Sequence, residues 1–325
     1  MATDRRGVSG CAGSSIGVRV MTRSDELFPL RPTLPLPAGV EEDALFAWLQ
    51  SVRVENAPPE IVDYCTADFR RFVYTYGLVR GAMSTPGKCL ELGANPYFAT
   101  VLLKQFTPHE WYLANYFGRS VPNGEHSQEV EFAASPLAAR VNGDRVKKQQ
   151  LAMTYQHFNI EEDAFPYADG TFDVVLLCEI IEHLLMDPAR VLREIRRVMK
   201  PGAHLILTTP NVSRLENAAK MLAGANIYDP YSRYGPYGRH NREYNKHELW
   251  LLLKYLGFEI QAMFTADVHQ NDAAQYIDIE SLRGLLAFRE ADLGQYIFLS
   301  ARAVGRDQGK KPSWLYRSYA ADELE

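Results

Sequence analysis

Hydrophobic positions along the chain change period once, near Pro86. Before it, over 41–52 and 59–80, they fall at helical spacing: Leu45, Trp48 and Leu49, then Ile61, Cys65, Phe69, Phe72, Val73 and Tyr76. One apolar stripe per stretch predicts two amphipathic helices. After it, short apolar runs at 88–92, 110–116, 155–159, 172–178, 204–208, 258–264 and 295–303 predict strands. Helical stretches separate several of them, at 99–105, from Pro188 onward, and at 246–256. Asp187 and Pro188 form a helix start ahead of Val191, Leu192, Ile195, Val198 and Met199, and Pro201-Gly202 stops that helix. Alternation on this scale predicts an α/β fold, a mostly parallel sheet with helices on both faces.

The same pattern divides the chain. Residues 1–40 are rich in Gly, Ser and Pro and predict a disordered or extended arm, within which Met21 offers a second possible start. A helical cap is expected over 41–85, the α/β domain over 86–304 with an acceptor-lid insertion at 211–245, and a polar tail over 305–325. Composition narrows the classes. With 325 residues, 46% of them hydrophobic and 23% charged, the chain suits an ordinary globular protein. A formal net charge of −5 disfavours a broad nucleic-acid face. No apolar stretch approaches the roughly 20 residues of a membrane-crossing helix, and residues 1–20 show no secretory h-region. Cys11, Cys65, Cys89 and Cys178 have no paired or metal-type spacing, so a reducing, cytoplasmic setting is expected.

Two segments carry the candidate chemistry. CLELGANPYF, from Cys89, reads as a buried strand running into a tight turn at Glu91 and Gly93; a strand end of this kind holds nucleosides in α/β proteins. GTFDVVLLCEIIEHL, from Gly170, is an apolar strand ending in an acidic tip with Glu179, Glu182 and His183. Between them lies HFNIEEDAFPYAD, from His157. Dinucleotide-binding proteins share such a sheet but require G-x-G-x-x-G at the first turn, which is absent here.

This order of motifs resembles the class I S-adenosylmethionine-dependent methyltransferases (methyltransferase type 11/23-like) over about 86–304. The resemblance implies a seven-stranded Rossmann-like sheet with an antiparallel last strand and S-adenosyl-L-methionine as cofactor. It places Glu91, Gly93, Asn95, Asn115, Asn159, Ile160, Glu161 and Glu179 around that cofactor. Two departures stand out: Asn95 and Tyr97 replace the usual further glycines, and Asn115 replaces the carboxylate that usually accepts the ribose hydroxyls. Catalysis would rest on His183, His240 and Glu179, with His183 as a base. The spacing Glu179-x-x-Glu182-His183, with His240, is also similar to the divalent-metal pattern of small-RNA 2′-O-methyltransferases, so Glu179, Glu182, His183 and His240 form an alternative metal set. Metal-free ubiquinone-biosynthesis O-methyltransferases share the tip.

The insertion contributes Tyr228, Tyr231, Tyr234 and Tyr237, while Pro230, Gly235 and Pro236 forbid one continuous helix. Tyr231, Tyr234, Tyr237, Arg239 and Arg242 are the expected acceptor residues, able to stack on sugar rings or hold an anion. Chains ending HxREY resemble methyltransferases associated with bacterial glycans. The expected partner is therefore a small-molecule or glycan acceptor, and the expected activity is O-methylation of a sugar or other small hydroxylated molecule. The alternatives are a metal-dependent RNA ribose methyltransferase and a non-catalytic binding subunit on the same fold.

Overall fold

The computed structural model describes residues 32–57, 61–136 and 147–325; Met21 and most of the expected arm lie outside them. Strand β1 (Arg53–Val54) follows helix α1 (Glu42–Leu49), and α2 (Ile61–Ala82) leads into β2 (Lys88–Leu92). Then come α3 (Phe98–Phe106), β3 (Glu110–Asn115), β4 (Gly124–Ala133), β5 (Lys148–His157) and β6 (Phe172–Cys178). The second half holds α4 (Pro188–Val198), β7 (Met199–Pro210), α5 (Leu215–Leu222), α6 (Lys246–Tyr255), β8 (Phe258–Ala266), α7 (Ile279–Leu286) and β9 (Tyr296–Ala303).

The strands form one sheet in the order β1-β4-β5-β3-β2-β6-β7-β9-β8. From β5 to β7 every pairing is parallel, and β9 runs antiparallel between β7 and β8. All seven expected strands are present, but the sheet described has nine. The extra pair, β4 and β1, extends the β5 edge in antiparallel register. Residues 124–133 carry polar side chains at most positions and bury only Val130, Phe132 and Ala133, so no apolar run marks β4. Pairing with β5 along its whole length makes it a strand.

Side-chain alternation sends the strand residues to two cores. Cys89, Val174, Leu176 and Ile206 face α1, α2 and α3, packing with Trp48, Phe72 and Leu102. Leu90, Val175, Leu177 and Leu205 face α4 and α6, packing with Leu192, Ile195 and Leu252. The segment 41–85 therefore supplies one helical layer of the sheet. Ahead of it, Tyr74 Oη donates to the Pro32 carbonyl at 2.6 Å, laying the end of the arm along α2. The tail packs on the other layer. Tyr316, 6% exposed, accepts from the Ala189 amide at 2.9 Å and donates to Asp187 Oδ1 at 2.7 Å, covering the start of α4. Among the described residues no helix is long and apolar enough to cross a membrane.

Candidate active site

A cavity of about 340 Å³ opens where β2, β3, β5 and β6 end, at the point where the strand order reverses direction. Crevices at such switch points take nucleotides in open α/β sheets. Phe158, Ile160 and Leu184 give it apolar wall; Asn115, Asn159 and Glu179 give it polar groups.

The turn after β2 is built around Gly93. Its φ is +69°, and a Cβ there would lie 2.4 Å from Ile180 Cδ1, so only glycine lets the chain turn this close to the β6 tip. Where further glycines were expected, side chains brace the turn instead. The Asn95 amide donates to Asn115 Oδ1 at 2.8 Å, Asn115 Nδ2 donates to Tyr97 Oη at 3.0 Å, and Tyr97 Oη donates to Gln128 Oε1 at 3.1 Å. Gln128 belongs to β4. The two departures and the extra strand thus form one network, and Asn115, although it lines the cavity, has both ends of its amide engaged there.

Glu91 sits beneath the turn, 5% exposed, accepting from Thr100 Oγ1 at 2.6 Å. It lies outside the residues lining the cavity. Burial raises its pKa from the ordinary 4.5 to about 7, against the opposing pull of the Thr100 hydrogen bond and Lys104. The folded chain therefore holds a proton that the unfolded chain releases, and this contribution to stability is lost as pH rises from about 4.5 to about 7. Replacing Glu91 by Gln removes the effect, so the variant's stability relative to the parent is expected to rise across that window by up to about 3 kcal/mol. Urea unfolding of both chains from pH 4.5 to 8 measures it; a flat difference would show an ordinary carboxyl at 91.

Beyond β5, Asn159 and Glu161 act within their own loop. Asn159 Oδ1 accepts from the Glu161 amide at 2.9 Å and its Nδ2 donates to Tyr237 Oη at 3.3 Å. The buried Glu161 carboxylate accepts from the amides of Leu185 at 3.0 Å and Met186 at 2.9 Å, holding the segment behind His183. Arg190 of α4 donates to the carbonyls of Ile160, Glu162 and Asp163, each at 3.2 Å, and pins the loop to the helix.

The acidic tip is the most concentrated chemistry. Glu179 has φ +54°, lines the cavity, and accepts from Thr208 Oγ1 at 2.7 Å. Burial raises its pKa, and the nearby Arg71 guanidinium pulls it back. Glu182 is fully buried, accepts from Thr209 Oγ1 at 2.8 Å with Oε2, and has no hydrogen-bond partner at Oε1. Burial and then the charge of Glu179 push its pKa well up. The Glu182 carbonyl accepts from the amides of Asn241 at 2.8 Å and Arg242 at 3.1 Å, which docks the insertion on the tip. His183 Nδ1 lies 2.9 Å from the Arg239 carbonyl, an oxygen that only accepts, so Nδ1 carries the proton and Nε2 keeps its lone pair. Burial and then His240 lower the His183 pKa, favouring this neutral form.

That docking brings His240 against His183, ring centres 5.1 Å apart and edge to face. His240 Nδ1 sits 3.0 Å from Glu243 Oε1, and Arg214 in turn binds Glu243. Burial opposes the His240 cation, but the Glu243 hydrogen bond and charge outweigh it and raise the pKa. Donor atoms of Glu182, His183 and His240 lie within 4.8 Å of one another. Glu179, the fourth member of the expected set, stands outside this trio. Of the expected acceptor residues, Tyr237 lines the cavity, whereas Tyr231 and Tyr234 are 91% and 73% exposed. Arg239 lies over the Tyr231 ring at 4.5 Å, and Arg242 pairs with Glu248. Nothing in the local spacing of Arg71, Arg190 and Arg214 distinguishes them from surface charges, and Glu243 shows in the sequence only as part of the HxREY motif.

Residues 118–207 match a protein-family model described as a methyltransferase domain. A ubiquinone biosynthesis O-methyltransferase of Marinobacter nauticus is 33% identical over 90 residues, 27% of this chain and 36% of that protein. A probable S-adenosylmethionine-dependent methyltransferase of Mycolicibacterium smegmatis is 32% identical over 116 residues, 36% of this chain and 39% of that protein. The matched region thus spans little more than a third of these relatives. Among solved structures, a complex of the Haloferax volcanii Trm112 methyltransferase activator with a putative methyltransferase aligns with a TM-score of 0.47 at 12% identity, over 80% of this chain and 97% of that one.

Proposed function

We propose that this chain, whose residues 118–207 match a methyltransferase-domain model, is a class I methyltransferase that uses S-adenosylmethionine, as the Mycolicibacterium smegmatis relative is named to do, and methylates a hydroxyl of a small acceptor such as a sugar unit. One observation carries the reading: His183 lines the cavity at the strand switch point and has its Nε2 lone pair available. Cavity size and lining suit the cofactor, with apolar wall for a base and the Glu179 carboxylate for an ammonium or sulfonium group. S-Adenosylmethionine supplies an electrophilic methyl group whose C–S bonding pair leaves with sulfur as a neutral thioether. The chain's part is alignment, proton removal and exclusion of water. Gly93 lets the turn close on the β6 tip, Glu161 fixes the segment behind the base, and His183 Nε2 takes the acceptor's hydroxyl proton as the new C–O bond forms. O-Methyl transfer is also the reaction named for the ubiquinone biosynthesis relatives.

S-Adenosylhomocysteine titrated into the chain is expected to release heat at one site. Incubation with cofactor and cell extract is expected to give a product heavier by one methylene in a mass spectrum. No heat and no thermal shift would overturn the reading.

A second reading is favoured by the unpartnered, fully buried Glu182 Oε1, 3.8 Å from His183 Nε2. Glu182, His183 and His240 would hold a divalent cation, and each histidine's Nδ1 is already oriented by a carbonyl or a carboxylate, the arrangement common behind metal-binding imidazoles. Such an ion would polarise the acceptor hydroxyl as a Lewis acid. On this reading, treatment with EDTA abolishes transfer and Glu182→Gln lowers bound Co²⁺ measured by its absorption. Full activity after EDTA removes it and leaves His183 as the base.

A further inference from the structure

A second cavity of about 330 Å³ lies on the other side of the His183–His240 pair, beyond the ends of β7 and β8. His240 lines it, His183 lines the first cavity, and their edge-to-face contact links the two. Its chemistry is unlike that of the first. Pro210 and Tyr296 are its apolar residues; the rest of the lining is charged, amide or imidazole.

The charged groups fall into a tied set and a loose one. Arg214 is held between Glu243 and Glu216, and Glu216 Oε1 also accepts from Gln295 Nε2 at 2.8 Å and from the Asp272 amide at 3.0 Å. These groups are consumed in building the wall. Lys220 and Asp272 are held more loosely: Lys220 Nζ stands 5.3 Å from the Tyr276 ring centre and 3.9 Å from Asp272 Oδ2, an ion pair without a hydrogen bond, and Asp272 Oδ1 is buried with no hydrogen-bond partner. A donor and an acceptor with spare capacity, set side by side, fit two neighbouring hydroxyls, one accepting from the ammonium and one donating to the carboxylate. Fixed charge decides against an anion, because the cations Arg214 and Lys220 face three carboxylates, Glu216, Glu243 and Asp272. Scarce apolar wall decides against a prenylated or flat aromatic acceptor, which would desolvate these polar groups without replacing their water.

We propose that this second cavity is the acceptor subsite and that it takes an uncharged, polyhydroxylated ring of monosaccharide size, one hydroxyl reaching past the edge of the His183–His240 pair into the first cavity, where it can meet the methyl carbon in line. The proposal rests on the methyltransferase reading and moves the acceptor from the exposed Tyr231 and Tyr234 to the pocket lined by Lys220 and Asp272.

Saturation-transfer NMR tests it, using the methyl glycosides of glucose, mannose, galactose and rhamnose, with catechol and inorganic phosphate as contrasts. Transfer is expected to at least one glycoside and to neither contrast. Asp272→Ala and Lys220→Met are each expected to weaken that binding at least tenfold, while the heat of S-adenosylhomocysteine binding stays at the parent value. Two variants guard against misfolding of one, and thermal melts monitor both. The proposal is overturned if the chain binds S-adenosylhomocysteine but no glycoside, if catechol or phosphate binds instead, or if glycoside binding survives both substitutions. A silent S-adenosylhomocysteine titration with glycoside binding intact instead strikes the methyltransferase reading, so the two failures are told apart.

Discussion

Replacing His183 by asparagine is expected to slow methyl transfer by on the order of 10²- to 10⁴-fold while leaving S-adenosylhomocysteine affinity little changed. The asparagine amide keeps a donor for the Arg239 carbonyl, which His183 Nδ1 meets at 2.9 Å, so the docking of the insertion survives. What disappears is Nε2, the unprotonated nitrogen of this cavity-lining ring. Losing a group that acts as the acceptor's proton leaves lowers kcat more than it raises KM, and that split identifies a base rather than a binding contact. Single-turnover rates with labelled cofactor, alongside calorimetry, make the measurement. Equal losses in rate and cofactor affinity would assign His183 to shaping the cavity wall.

Arg71→Met is expected to destabilise the fold by about 3–5 kcal/mol. Arg71 is 4% exposed on α2, donates through Nε to Asp68 Oδ1 at 2.7 Å and through Nη2 to Tyr64, and lies 4.9 Å over the Phe72 ring. Its charge also holds down the carboxyl of Glu179. Removing it strands Asp68, 7% exposed, beside an acidic tip that already carries Glu179 and Glu182. Leaving one buried charge unpaired costs more than the pair contributes, so the double variant Arg71→Met, Asp68→Leu is expected to recover most of the loss. Urea unfolding of the three chains measures it. A loss below about 1 kcal/mol for the single variant would mean that water reaches Asp68 at little cost.

Both predictions concern residues whose importance the sequence shows unequally. His183 was legible because it follows within five residues of the end of the apolar strand β6, a place where α/β folds expose side chains to ligands. Arg71 was not, since Asp68 and Arg71 at helical spacing look like any surface pair. Burial beneath the β6 tip is what makes that pair costly to break. The turn at Gly93 is similar. Asn95, Tyr97 and Asn115 read as departures one at a time, and they become a single brace only when β4 delivers Gln128 to Tyr97. Glu161 was placed beside the cofactor by resemblance, yet its carboxylate faces the amides of Leu185 and Met186.

By itself the sequence determined the parallel strands, the two helical layers and the location of the acidic tip, because apolar periodicity and helix-stop residues act over a few neighbouring positions. Tertiary structure alone decided three things. It made residues 124–133 a strand, since an edge of mostly polar residues is defined by its partner β5 and not by its own composition. It brought His240 to His183 and left Glu179 with Thr208, because both outcomes depend on a docked insertion and a parallel neighbour far away in the chain. It also gathered Lys220 and Asp272 at a second cavity, from segments some fifty residues apart that only the ends of β7 and β8 bring together.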